Sequence, residues 1–175
     1  KVAAHFKLAN MSNPQAALRD PLGKIWVSAQ NSDELIVLSP DLRTQVKSVD
    51  LSALKAETSL HADLAQMTLL ESGHLVVSAQ RLDRASGTWR PNSKSALARI
   101  NTQSLQVEAH SEVDVINPIQ ISSRDGRVVL VGAGDLATDG GASGRLANVD
   151  TRTFSGLAYS DFPAKLLAAD LSGGD

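Results

Sequence analysis

The sequence predicts an all-β chain built from repeated four-stranded antiparallel meanders. The first observation is an internal repeat: the eight residues from Gly23 recur from Gly73 and, more loosely, from Gly126, a spacing of about 50 residues. The second is that short apolar runs alternate with Gly, Pro, Asn, Asp and Ser turns throughout each repeat. Short strands repeating at this period are typical of propeller blades, so the predicted fold is a set of β-propeller blades.

Each repeat opens with a first strand, a tight turn and a second strand. The turns 20–23, 71–73 and 124–126 place a glycine where a hairpin requires positive φ. In the second strands we expect six small apolar side chains to be buried between blades. They are Val27, Ala29, Val77, Ala79, Val129 and Val131. The predicted first strands are residues 13–18, 63–68 and 117–122.

A third and a fourth strand complete each repeat. The third strands of the later repeats end in Asn101-Thr102 and Asp150-Thr151, whose short side chains can bond the backbone two residues on. The first repeat departs from this pattern with Ser39-Pro40-Asp41. The segment 51–64 is interpreted as a loop with at most one short helical turn. The predicted third runs, each including its polar turn, are 36–41, 97–102 and 146–151, and the fourth are 45–49, 106–109 and 156–159.

These strands assign residues 1–175 to a single β-propeller segment. It is predicted to hold three full blades, at about 13–51, 62–113 and 117–160. Residues 1–12 are expected to form an outer strand of a preceding blade, and 161–175 the first strand of a following one. Propellers close with about four to eight blades, so we expect the remaining blades, or another copy of the chain, to pack against this segment.

Composition limits the function classes. A net charge of −2 with interspersed signs argues against a dedicated nucleic-acid or anionic-membrane surface. No apolar run reaches the length of about 18 residues that a membrane span needs, and no basic-then-apolar signal peptide occurs at Lys1. The absence of cysteine excludes disulfides and thiol chemistry without fixing the compartment.

Several segments resemble the repeats of bacterial YVTN-type β-propellers, a class of surface, periplasmic and lipoprotein domains. The matching segments are Asn13-Pro14 with Gly23–Val27, Gln80–Arg84 with Ala98–Thr102, and Asp139–Gly141 with Asn148–Thr151. The resemblance covers nearly the whole chain and implies a periplasmic or extracellular, cell-surface location. It is specific for architecture and leaves the function open, because this fold carries binding modules and enzymes alike.

The longest loop is the insertion Arg81–Lys94, between the second and third strands of the middle blade. It combines four positive side chains with one of the two tryptophans, which suits recognition of an anionic or planar group. In the alternative interpretation, Trp89 folds back on its own blade while Arg81 and Arg84 pair with Asp83 or with backbone carbonyls. The candidate ligand- or partner-binding residues are Arg81, Asp83, Arg84, Trp89 and Arg90.

Metal and cofactor sites have little support in the sequence. Asp135 and Asp139 lie near glycines and could offer oxygens to calcium, but the spacing of a calcium loop is absent and turn capping explains both. The four histidines have no completing ligand set, although His61 and Asp63 would share a strand face. No cofactor is predicted, and neither a Gly-x-Ser-x-Gly elbow nor a phosphate-binding loop is present.

The predicted function is a non-catalytic binding or scaffold module that presents loops to a protein, a glycan or a small ligand. The alternative is a propeller enzyme, lyase- or hydrolase-like, with catalytic groups on loops partly outside this segment.

Overall fold

The computed structural model describes residues 5–8, 12–92, 94–135, 144–154 and 158–162. Over this part of the chain the strands form three four-stranded antiparallel sheets and one two-stranded sheet. The helical structure seen in these residues is a single 3₁₀ turn, Ser52–Leu54. The all-β prediction and its four-stranded meanders are therefore confirmed.

Each four-stranded sheet is a blade of strands taken in chain order. The first blade contains β1 (Pro14–Arg19), β2 (Ile25–Ala29), β3 (Glu34–Leu38) and β4 (Gln45–Asp50). The middle blade contains β5 (Leu64–Leu69), β6 (His74–Ala79), β9 (Ser95–Asn101) and β10 (Gln106–Val113), and its insertion forms the hairpin β7 (Leu82–Asp83) and β8 (Arg90–Pro91). The third blade contains β11 (Pro118–Arg124), β12 (Arg127–Gly132), β13 (Gly144–Asp150) and β14 (Ala158–Phe162).

The turn chemistry explains where strands end. Gly73 and Gly126 adopt φ of +78° and +72°, a backbone conformation that residues with a Cβ atom rarely adopt. After the third strands, the Asn101 carboxamide oxygen accepts the Gln103 N–H at 2.9 Å, and the Asp150 carboxylate accepts the Arg152 N–H at 2.8 Å. In the first blade Asp41 accepts the Arg43 N–H at 3.2 Å instead. Side chains thus satisfy the backbone at each turn.

Two apolar clusters hold the blades together. Between the first and middle blades, Trp26 packs in one cluster with Leu75 and Val77. Between the middle and third blades, Val76 packs in a second cluster with Leu130. Because consecutive side chains of a strand point to opposite faces, β6 is buried on both sides. The middle blade consequently packs against both of its neighbours.

One burial prediction is wrong. Val27, Ala29, Val77, Ala79 and Val131 are buried as expected, but Val129 is only half-buried. Its neighbours Val128 and Leu130 point at the middle blade, so strand alternation turns Val129 to the opposite face of the third blade. The corresponding residue of the first blade, Trp26, is fully buried because the middle blade covers that face.

The structure also differs from the sequence prediction near both ends. Asp161 and Phe162 pair with Arg145 and Gly144, so they belong to the fourth strand of the third blade and not to a following blade. This pairing arises because β13 begins as early as Gly144. Residues 5–8 have no regular secondary structure, in contrast to the outer strand expected over 1–12. Residues 1–4, 9–11 and 163–175 lie outside the described residues.

The arrangement of strands defines two faces. The first strands of neighbouring blades, β1, β5 and β11, contact one another and lie innermost. In an antiparallel meander, the loops between second and third strands and the connections between blades emerge at one end, here called the loop face. The turns between first and second strands and between third and fourth strands emerge at the other end, the turn face.

Candidate functional site

The second strands of the first and middle blades both end in Ser-Ala and are followed by a glutamine, and the structure explains the serine. The first strands change register close to these serines, which leaves a backbone N–H outside the ladder. Ser28 Oγ accepts the Ala16 N–H and Ser78 Oγ accepts the Gln66 N–H, each at 3.1 Å. The serine hydroxyls therefore accept the backbone N–H groups that the bulges of the innermost strands leave unpaired.

The glutamines of the same motif form a row of hydrogen-bonded carboxamides on the loop face. Asn13 Nδ2 donates to Gln30 Oε1 at 2.6 Å, and Gln30 Nε2 donates to Gln80 Oε1 at 2.8 Å. Gln80 Nε2 then donates to Asn117 Oδ1 at 2.6 Å. This amide row, consisting of Asn13, Gln30, Gln80 and Asn117, crosses all three blades. Sequence analysis missed it, although the repeated glutamine was a visible signal.

Asp63 occupies the position in the middle blade that Asn13 and Asn117 occupy in the other two. All three adopt positive φ, between 47° and 56°, which Asn and Asp tolerate better than most residues. Asp63 is fully buried, and its Oδ2 accepts the Leu82 N–H at 2.9 Å. Burial raises the pKa of Asp63 above its ordinary value, against the opposing effects of the Leu82 N–H and the Arg84 guanidinium.

Arg84 carries the counter-charge for Asp63 and comes from the inserted hairpin. Its guanidinium pairs with the Asp63 carboxylate and donates to Asn31 Oδ1 at 2.7 Å and to the Gln30 carbonyl at 3.4 Å. The side chain is almost completely buried. Arg84 therefore connects the insertion to the first blade and to the base of the amide row.

Arg81 fixes the other side of the hairpin. Its guanidinium donates to Glu112 Oε1 at 2.6 Å and to the Lys55 carbonyl at 3.3 Å. The hydrogen bond from Arg81 is the largest influence that lowers the pKa of Glu112 below its ordinary value. Asn92 closes the hairpin by donating its backbone N–H to the Arg81 carbonyl at 3.1 Å. The base of the insertion is thus held by polar contacts on both sides.

Trp89 and Arg90 project from this braced hairpin. Trp89 is 57% exposed, and the Arg84 guanidinium carbon lies 4.2 Å from the centroid of its ring. Arg90 is exposed as well. Asp83 is part of the turn, since its Oδ1 accepts the Ser86 N–H at 3.1 Å and its carbonyl accepts the Trp89 N–H at 3.2 Å. The acidic partners of Arg81 and Arg84 are Glu112 and Asp63, not Asp83.

The other sites considered from the sequence receive no support as metal centres. Asp135 is half-buried, and Asp139 lies outside the described residues. Over the part of the chain that the structure describes, no group of three His, Cys, Asp or Glu side chains could share a metal ion.

The turn face carries a polar cleft of about 510 Å³ between the middle and third blades. His74 lies in it, with Nε2 at 3.0 Å from Glu108 Oε2 and Nδ1 at 3.0 Å from Ser72 Oγ. The hydrogen bond from Asn101 is the largest influence that lowers the pKa of Glu108 below its ordinary value. These residues come from separate strands and a turn, so sequence analysis did not bring them together.

No family model and no curated protein matches the chain. Several solved structures are similar to the chain. A streptogramin B lyase has a TM-score of 0.58 and 13% identity, and the match covers 91% of this chain and 44% of the lyase. The extracellular domain of BT4673 from B. thetaiotaomicron has a TM-score of 0.56 and 13% identity. The match covers 87% of this chain and 17% of that domain's chain. The Dos1 propeller has a TM-score of 0.54 and 13% identity, and the match covers 92% of this chain and 39% of the Dos1 chain.

The chain therefore spans less than half the length of each of these structures. Among the described residues, no helix is long and apolar enough to cross a bilayer. At this level of identity the likeness extends to the fold alone, and the neighbours include both enzymes and extracellular domains. The chain has the β-propeller fold.

Proposed function

We propose that this chain is a non-catalytic binding module that engages its partner through the loop face, with Trp89 and Arg90 as the main contact residues. The supporting observation is the contrast within the inserted hairpin: buried arginines brace its base, whereas Trp89 remains 57% exposed. Tryptophan and arginine are the residues most enriched among binding hot spots. A rigidly held, exposed tryptophan loses little conformational freedom when a partner covers it.

The two tryptophans of the chain differ in their surroundings: one packs in the core, and the other is exposed to solvent. Trp26 is fully buried, and its indole N–H donates to Asp20 Oδ2 at 2.9 Å, as expected of a core residue. Trp89 instead contacts Arg84, which keeps its partners Asp63 and Asn31 whether or not the indole is present. The hairpin can therefore lose the Trp89 ring without losing its anchorage.

The wider context of the module is also part of this proposal. The YVTN-type sequence pattern and the extracellular neighbour support a periplasmic or cell-surface location. Further propeller blades, or a second copy of the chain, would cover the face that bears the half-buried Val129. The partner bound at the loop face is a protein, a glycan or a small ligand.

Two arrays, one of glycans and one of peptides and folded proteins, test the proposal with the wild-type chain, Trp89→Ala and Arg90→Ala. Hot-spot truncation typically costs about 2 kcal/mol, so each variant should lose most of the wild-type capture while its melting temperature stays nearly unchanged. Leu22→Ala, an exposed apolar position on the turn face, is the matched control. Lower stability with unchanged capture would contradict the proposal.

A second candidate function, a hydrolase-like activity, is favoured by the Ser72–His74–Glu108 arrangement. With Nε2–H donating to the Glu108 carboxylate, Nδ1 is free to accept the Ser72 hydroxyl proton, as in a nucleophile–base pair. The Ser72 oxygen would attack an ester carbonyl, and the proton on Nδ1 would pass to the leaving alkoxide. Water would then release the acyl group from Ser72.

Hydrolysis of p-nitrophenyl acetate distinguishes this candidate from the first. If it is correct, Ser72→Ala and Glu108→Gln lower the rate to that of buffer, whereas Trp89→Ala leaves the rate unchanged. A wild-type rate equal to that of Ser72→Ala eliminates the hydrolase.

A further inference from the structure

The two most exposed large apolar side chains among the described residues both lie on the loop face. Leu60, which is 63% exposed, belongs to the connection between the first and middle blades, and Trp89, which is 57% exposed, belongs to the inserted hairpin. Single apolar side chains on a surface are ordinary, whereas neighbouring ones that form a patch are typical of an interaction surface. The way in which the connection and the hairpin are joined therefore matters.

A β-bridge joins the connection to the hairpin. Ser59 pairs with Asp83, and Asp83 pairs with Arg90 across the hairpin. Cα atoms are about 3.8 Å apart along the chain and at most about 5.5 Å apart across an antiparallel pair, so those of Leu60 and Trp89 are no more than about 19 Å apart. A protein interface of ordinary size, about 800 Å² on each partner, covers a patch about 30 Å across. Both side chains therefore fall within one such interface.

The connection is anchored on both sides of Leu60. On one side, Asn92 Nδ2 of the hairpin donates to Ser59 Oγ at 3.0 Å. On the other side, the fully buried Ala62 donates its N–H to Asp33 Oδ1 at 2.6 Å. Leu60 is thus held towards solvent by anchored neighbours, in the same way as the tip of the hairpin is held by its base. Side chains that are positioned in advance lose little conformational freedom on binding.

The chemistry of this surface favours a protein as the partner. An aliphatic side chain offers no hydrogen bond, so sugar hydroxyls that covered Leu60 would lose their bonds to water without replacement. Apolar side chains of a protein would instead gain from the same burial. Arg90 is exposed, and the carboxylates that contact the hairpin, those of Asp63 and Glu112, are paired with other basic side chains. Arg90 is therefore complementary to an acidic side chain of the partner.

We propose that Leu60, Trp89 and Arg90 form one docking surface for a protein segment that carries two apolar side chains and an acidic one. An extended segment of about six residues is long enough to reach both apolar side chains. The free edge of the hairpin does not pair with this segment as a further strand, because Pro91 has no N–H to donate, and the contacts are made by side chains. This inference rests on the proposed function and names its partner class.

The test is a selection from a phage-displayed library of random peptides of about twelve residues, followed by fluorescence-polarisation titration of the selected peptides. Trp89→Ala should weaken their binding by about tenfold or more and Leu60→Ala by about fivefold, with nearly unchanged melting temperatures. Leu22→Ala, the same substitution at an exposed leucine of the turn face, is the matched control and should bind as the wild-type chain does.

The role of Arg90 is tested by salt. Binding of the selected peptides should weaken as the salt concentration rises, and Arg90→Ala should lower the affinity severalfold and reduce this salt dependence. Selected peptides that lack an acidic residue, or a salt dependence that is unchanged in Arg90→Ala, would overturn the acidic part of the partner.

The outcomes separate this inference from the proposed function. Peptides that bind Leu60→Ala as tightly as the wild-type chain, but not Trp89→Ala, would overturn the shared surface and leave the binding module intact. A library that yields no specific peptide would overturn the protein partner, and glycans captured through Trp89 would then leave the binding module intact. No Trp89-dependent capture of any class would overturn both. Self-association that Leu60→Ala abolishes, as seen by sedimentation velocity, would identify a second copy of the chain as the occupant and overturn the peptide partner.

Discussion

The middle and first blades share their strand order, turn glycine and terminal Ser-Ala-Gln motif, yet they differ sharply at the loop face. The first blade joins its second and third strands through residues 30–33, whereas the middle blade inserts a hairpin over 80–94. The first blade begins with neutral Asn13, and the middle blade has buried Asp63 at that position. The two differences are connected, because the hairpin contributes Arg84, the counter-charge of Asp63.

An insertion in a repeat can thus be anchored by changing one residue of the repeat itself. An ionised carboxylate that is buried without a partner destabilises the folded state. The chain is therefore stable only when Arg84 lies next to Asp63. The hairpin is thereby held in place, and its tip can present Trp89. Strands and turns follow the repeat, while the candidate site depends on the departures from it.

The largest expected effect comes from burying a charge between blades. Val77→Asp should destabilise the chain by about 3 kcal/mol or more, because Val77 is fully buried in the cluster shared with the first blade. Val129→Asp, on the half-buried face of the third blade, should cost much less in the same 175-residue chain. Urea denaturation measures both, and equal losses would contradict the assignment of the two faces.

Breaking the link between Asp63 and the hairpin should have the next largest effect. Arg84→Gln leaves the carboxylate buried without its counter-charge, a loss of about 3 kcal/mol at pH 7. Adding Asp63→Asn restores the neutral residue of the other blades and should recover most of that loss. A double variant as unstable as Arg84→Gln alone would show that the two residues are not coupled.

The pH dependence of Arg84→Gln follows from the raised pKa of Asp63. A raised folded-state pKa means that its favourable contribution is present at low pH and is lost as the pH rises through that pKa. Without Arg84 the pKa should rise further. The deficit of the variant relative to the wild-type chain should therefore shrink on acidification, as followed by melting temperature.

A smaller effect is expected at Glu108, which lies at the register shift of the fourth strand of the middle blade, as Val46 does in the first blade. Its lowered pKa means that its contribution is present above the ordinary value and is lost as the pH falls through the folded-state value. In Glu108→Gln, the melting temperature should therefore fall less than that of the wild-type chain as the pH decreases below about 4.5. Equal acid sensitivity of variant and wild type would argue against this coupling.

The smallest expected effect on stability is that of Trp89→Ala. Because the ring is more than half exposed and Arg84 keeps its other partners, unfolding free energy should change by no more than about 0.5 kcal/mol. Trp26→Phe, which removes a buried indole and its bond to Asp20, is the contrasting control and should cost distinctly more. Chemical denaturation of the two variants measures the difference.

Local sequence patterns are sufficient to place the blades. Period-two alternation, turn glycines and Asx turns act over a few residues, so Gly73, Asn101 and Asp150 fix the meander without reference to distant parts of the chain. The exposure of the tip of the inserted hairpin was also predictable, since connecting segments run over the surface.

Which face of each strand is covered, and which charged side chains meet, depends on how the blades pack against one another. Val129 and Trp26 occupy equivalent positions, but only Trp26 lies in an apolar cluster shared with a neighbouring blade. The contact of Arg84 with Asp63, and that of Gln30 with Gln80, join residues 21 and 50 positions apart. Local sequence patterns carry no information about such pairs, because they form only when the blades pack around a common centre and bring their loop ends together.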